Sequence, residues 1–253
     1  HQMKGVFLNK RRGEEFQRQL LMLMYELLEM IDIGGLKVLD AHIEEPEQSD
    51  VFTKYPLILQ EKNLMAFISD NFRLMAMGKI SAHELESFLE QELDAMEHSL
   101  MQPSKSLFQV GEAMPGFGIL AAVLGIVMAM NVVADGASTG EIAVRVAAAM
   151  VGTFIGIFMC YGVLDPISNM MKQLVNEEVQ ALESVKVVLV THVAGKPPLL
   201  AIDAGRRLVQ LNIKPSFAML EGLIACPPVR PGTPSQHQRH RWERCTTLAG
   251  WRS

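Results

Sequence analysis

Four kinds of hydrophobic pattern follow one another along the chain. In residues 13–31, Phe16, Leu20, Leu21, Met24, Leu27, Leu28 and Ile31 recur at steps of three and four, which predicts an amphipathic helix. Gly34-Gly35 ends it, and 36–43 reads as a short helix closed off by Pro46. Helical patterns return at 48–77 and 81–102, the second opened by Ser81 with Glu84 three residues on, a capping-box spacing. Two runs with no charge follow: AMPGFGILAAVLGIVMAMNVVA, 22 residues between Glu112 and Asp135, and VAAAMVGTFIGIFMCYGVL, 19 residues between Arg145 and Asp165. Neither alternates with period two, and each matches the roughly 20 helical residues that cross a bilayer. Core helices of a soluble protein are the competing reading, disfavoured because two such runs lie in tandem, each bounded by charge. Residues 167–194 carry the second run onward as a long helical pattern. Lys196-Pro197-Pro198 interrupts it, and 199–211 reads as a last short helix with Arg206-Arg207.

Composition sharpens this outline. The chain has 253 residues, 49% apolar and 20% charged, with a mean hydropathy of +0.18. That is too apolar for a disordered chain and too charged for membrane throughout. A net charge of −5 and 6% aromatics disfavour nucleic-acid binding. Three cysteines exclude a disulfide framework. Residues 225–253 differ from the rest: both tryptophans and two of the three cysteines are there, and the stretch carries a net +4. It shows no hydrophobic period and is expected to be disordered. Because the chain starts His1-Gln2, it reads as a fragment.

The loop from Asp135 to Glu141 has no Lys or Arg, whereas residues 1–112 hold eleven and 166–224 hold six. Positive charge marks the cytoplasmic side. The expected fold is all-α: a membrane helical hairpin with helical cytoplasmic regions. It divides into a cytoplasmic part (1–112), a span (113–134), a short periplasmic loop (135–145), a second span (146–164), a cytoplasmic C-terminal region (165–224) and the tail.

Candidate chemistry is sparse. Neither span contains Asp, Glu, Lys, Arg or His. Ion paths use such groups, so a proton acceptor would have to come from another chain or from a segment outside this one. Thr153 lies mid-span, and its hydroxyl either bonds its own helix backbone or faces a water-filled path. Pro115 and Pro166 flank the spans on the cytoplasmic side, either as simple helix ends or as a paired hinge. Gly118 with Ala122, Ala121 with Gly125 and Gly152 with Gly156 have the four-residue spacing that lets helices approach closely in lipid. The acidic helix with Glu86, Glu90, Glu92, Asp94 and Glu97 is either a solvated face or a docking surface for a basic partner. Gly116–Ala121 fits a loose dinucleotide pattern but lacks the strand that pattern needs. Cys226, His237, His240 and Cys245 fit no usual zinc spacing. No nucleophile–base set stands out, so neither enzyme activity nor a cofactor is expected.

Several separate stretches resemble the flagellar motor stator A subunit, the MotA/PomA family within the wider MotA/TolQ/ExbB group. They are YELLEMIDIGGLKVLDAHIEEPEQSDVFTKYP, HELESFLEQELDAMEHS, MPGFGILAAVLGIV, AMVGTFIGIFMCYGVLDPIS and VKVVLVTHVAGKPPLLAIDAGRRLVQLNIKPSF. The resemblance implies that the two runs are the family's third and fourth spans and that the first two lie outside this fragment. It implies five A subunits around a MotB-like B subunit that supplies a proton-binding aspartate. It also implies a FliG-like rotor switch protein as partner and the bacterial inner membrane as location. By position, Pro115 and Pro166 match the family's functional prolines, Thr153 and Tyr161 match residues near the ion path, and Glu92 matches an acidic residue implicated in torque. Ala122 stands where sodium-type members have threonine, which favours protons. Asp40 matches an acidic rotor-facing residue, but Asp32 stands where the family has a basic one, with Lys37 nearby. An ExbB/TolQ-type energiser of outer-membrane processes is the alternative function.

Overall fold

A computed structural model describes residues 2–222 except 79, 135, 212, 219 and 221. For 2–12, 40, 41 and 134 it describes the backbone alone, and the distinctive tail, with its candidate metal residues, lies outside the described residues. Among the described residues every regular element is helical. In order they are α1 (Gln2–Gly34), α2 (Asp40–Glu44), α3 (Pro56–Leu59), α4 (Lys62–Met77), α5 (Ala82–Ala134), α6 (Thr139–Phe158), α7 (Asp165–Val193) and α8 (Pro198–Leu208). Short 3-10 turns at Leu36–Leu39, Pro46–Gln48 and Phe52–Lys54 break the region between α1 and α3, and a π-helical segment, Met159–Leu164, joins α6 to α7.

Two differences from the sequence pattern stand out. The periodic segment 48–77 is split, because Pro56 opens α3 at its first turn and Glu61 interrupts the chain before α4. Conversely, the acidic pattern from 81 and the first apolar run are one 53-residue helix, with Pro103 and Pro115 both inside it. Proline removes one backbone donor and crowds the carbonyl four residues back. A long helix with intact turns on either side absorbs that loss, so Pro115 does not end it.

The described residues divide into two compact units, those up to 93 together with those from 179 to 222, and 94–178. The first unit has the larger apolar core. Leu20, Leu23, Met24, Leu27 and Leu28 of α1 are wholly buried, as are Phe52, Ile58, Ile68 and Phe72. Leu85 and Leu89, Leu182, Val185, Val188 and Leu189, and Ala201 and Ile202 join them. These are the three- and four-step positions of each pattern, so the amphipathic stripes are the core. Gly35, at φ +75°, closes α1 in the left-handed region that glycine enters without a Cβ penalty. Gly205 brings α8 against α7: a Cβ there would lie 2.5 Å from Val188 Cγ2 and 2.9 Å from the Ser184 carbonyl oxygen. Asp203, 5% exposed, binds Arg206 at 2.6 Å and Arg207 at 2.9 Å. Burial alone raises its pKa, but the hydrogen bonds from the two guanidinium groups outweigh it and hold the carboxyl below its usual range.

The second unit is an antiparallel pair, α5 against α6 and the start of α7. Ser138 caps α6 by a complete capping box with Glu141. The apolar stretches of both helices are long enough to cross a membrane, with mean hydropathies of 2.3 and 2.0 over the best windows, of which only 11% and 6% are buried within the protein. Phe117, Leu120, Leu124, Met128, Phe154 and Phe158 are all more than half exposed. A soluble core helix hides such residues, so outward exposure of nearly the whole apolar surface excludes that reading for this chain in isolation and fits lipid or partner helices.

Candidate ion-pathway and coupling site

The hairpin packs through small residues. A Cβ on Gly156 would stand 2.6 Å from the Met114 carbonyl oxygen, and one on Gly118 would stand 3.0 Å from that of Gly152. Gly125 meets Ala149, and Gly111 approaches Leu164. The glycines noted from their spacing are therefore contact residues, as close helix approach in lipid requires. Thr153 does not bond its own helix backbone. Its Oγ1 donates to the Gly118 carbonyl oxygen at 3.2 Å, a bond across to the neighbouring helix. Ala122, half-buried, lies one turn further along α5.

At the other end of the apolar runs a cavity of about 230 Å³ opens among Phe108, Gly111, Glu112, Pro115, Cys160, Tyr161 and Asp165. Pro115 and Tyr161 are thus brought together. Tyr161 and Cys160 sit on the π-helical segment, whose extra residue per turn widens the backbone directly opposite Pro115. Pro166 is the second residue of α7, directly after the π-helical segment. Asp165 accepts from Asn169 at 3.2 Å. Lys172 lies 4.7 Å above the Phe108 ring.

The residues matched to a rotor surface belong to the first unit. Glu92, partly buried, accepts from Nδ2 of the buried Asn71 at 3.2 Å, and the same amide donates to the Phe67 carbonyl at 2.8 Å. Asp40 opens α2, and its side chain lies outside what is described. Asp32 has its Oδ1 3.7 Å from His192 Nε2, and Lys37 is exposed on the following 3-10 turn. No group of three or more metal-binding side chains occurs among the described residues. Sequence reasoning missed the π segment, the Asn71 support of Glu92 and a buried pair, Ser104 and Ser168. None has a local signature, since each depends on which helix lies opposite.

This combination, two long apolar helices packed through glycine with their apolar surfaces outward, is that of a helical membrane protein. Residues 60–184 match the model of the MotA/TolQ/ExbB proton channel family. Over 211 residues the chain is 53% identical to the chemotaxis protein LafT of Vibrio parahaemolyticus, covering 83% of this chain and 73% of that protein. It is 33% identical over 222 residues to motility protein A of Salmonella typhimurium, covering 87% and 75%. Its fold matches the structure of C. jejuni MotAB with a TM-score of 0.62 at 15% identity, over 82% of this chain and 76% of that one. The chain belongs to the MotA/TolQ/ExbB proton channel family, on the branch of motility protein A.

Proposed function

We propose that the chain is the A-type subunit of a flagellar motor stator, which couples proton flow to torque on the rotor. The observation that carries this reading is chemical: a member of a proton-channel family has no ionisable side chain from 113 to 134 or from 146 to 164. In this reading the titrating acid belongs to a companion, a MotB-like B subunit, held within a ring of about five A subunits. Protonation of that acid near Thr153 and Ala122 changes its contact with the hairpin. Pro115, Tyr161 and Pro166, gathered around the widened turn, take up the change as bending. Glu92 and Asp40 present negative charge to basic groups of a FliG-like rotor protein. The residue chemistry supports binding and movement, and no bond-making step is assigned to it.

The location that suits this work is the bacterial inner membrane, with the charged helices in the cytoplasm and 136–141 outside. Ala122 offers no side-chain oxygen to replace a sodium ion's water, which supports protons as the driving ion.

The test is complementation. Together with its B partner, the full-length protein should restore swimming to a strain lacking its own A subunit. Swimming should persist when sodium is replaced by potassium and should collapse with a protonophore. Glu92→Lys should cut speed at least severalfold at low ionic strength with unchanged membrane level. Restoration of outer-membrane uptake without swimming would point to the ExbB/TolQ type instead.

A further inference from the structure

Ser104 of α5 and Ser168 of α7 form a reciprocal pair. Ser104 Oγ donates to the Ser168 carbonyl oxygen at 2.9 Å, Ser168 Oγ donates to the Ser104 carbonyl oxygen at 3.0 Å, and the two hydroxyls are 3.2 Å apart. Ser104 is 1% exposed and Ser168 is fully buried. Helical serines commonly bond back to their own preceding turn, or face water. Here both hydroxyls are turned across to the other helix, so each backbone carbonyl accepts a second bond. A pair that is reciprocal in this way is satisfied at one axial register only, because a slide of one helix breaks both bonds together.

Its position gives the pair a role. Eleven residues, roughly 16 Å of helix, separate Ser104 from Pro115. Further up the hairpin is a second cross-helix hydrogen bond, from Thr153 to Gly118. Three backbone irregularities lie between these two fixed points, Pro115, the π-helical Met159–Leu164 and Pro166, while Pro103 lies one residue outside them, next to Ser104. The cavity also lies between the fixed points. The segment is weak in the middle and pinned at both ends.

We infer that Ser104 and Ser168 are positioning residues for the coupled movement: they bind the feet of α5 and α7 into one body. Bending in the proline and π-helical segment then emerges as joint displacement of both helices and is not lost as sliding between them. The inference rests on the proposed function above. Neither serine lines the cavity.

The double variant Ser104→Ala/Ser168→Ala, in the full-length chain co-produced with its B partner, tests it. The expected result is unchanged membrane level, proton influx within about twofold of the parent, and swimming speed at least threefold lower. Ser168→Thr, which keeps a hydroxyl, should stay within about twofold of parental speed. In the purified complex, backbone amides of 100–107 and 165–172 should exchange about tenfold faster in the double variant, with those of 62–77 unchanged. Parental speed in the double variant overturns the inference, whatever the exchange. So does a loss of speed that merely follows influx or protein level. Failure of the functional reading looks different: the parent itself then neither admits protons nor restores swimming, and unchanged exchange in the double variant would still reject the pin.

Discussion

Asp203 shows how a single side chain in this protein is held by opposing forces. Burial disfavours its charge, and two guanidinium groups favour it more strongly, so its pKa is lowered on folding. A depressed carboxylate contributes stability that is fully present above its unfolded value of about 3.9 and is lost as pH falls through the folded value. Local protection of the α8 amides should therefore weaken as pH drops below about 4, and Asp203→Asn should remove that dependence. Asp203→Ala leaves the largely buried Arg206 without its carboxylate and should cost about 3 kcal/mol, read as faster amide exchange in 198–208. Tyr55 behaves differently. Burial and the neighbouring Glu26 push its hydroxyl above the usual phenol range, so it remains a protonated donor to Glu26 at 3.2 Å. Lys54 adds an ion pair to the same carboxylate.

Between elements, glycine decides what lipid cannot. Apolar side chains gain little by leaving lipid for one another, so close packing and cross-helix hydrogen bonds hold α5 to α6. Gly156→Ala must push a Cβ against a backbone carbonyl that no side-chain movement can relieve. It should destabilise the hairpin by about 1–3 kcal/mol, read as a lower Tm of the detergent-solubilised complex. Gly116→Ala meets nothing within 4 Å and should leave Tm unchanged. The same two elements show where local pattern misleads. Pro115 reads as a helix start because an apolar run begins beside it, yet α5 passes through it. The bond of Thr153 to Gly118 was equally hidden, because its acceptor lies 35 residues away.

For the whole molecule, the governing fact is that the apolar surface of 113–134 and 146–164 faces outward. The protein should sediment with membranes and require detergent for release, and extraction by high salt or alkali alone would contradict the hairpin. Ser138→Cys, at the exposed turn before α6, should gain labelling by an impermeant maleimide from the periplasmic side of intact cells. The recognisable motifs lie in both units, which is why the family was legible without coordinates. Asp32, which the sequence resemblance sets where a basic group is expected, lies 3.7 Å from His192.

Sequence alone determined the helical class, the amphipathic core positions, the two uncharged runs and the absence of an acid within them, because periodicity and transfer free energy are properties of local composition. It also placed Pro115, Ala122, Thr153, Tyr161 and Pro166 along one hairpin and Asp40 and Glu92 outside it. Only the tertiary structure decided which groups meet: Thr153 with Gly118, Tyr161 with Pro115 across a cavity, Asn71 with Glu92, and Ser104 with Ser168. Those pairings depend on the register between helices distant in the chain, and register is set by the closest approach of whole surfaces, which no short window of residues encodes.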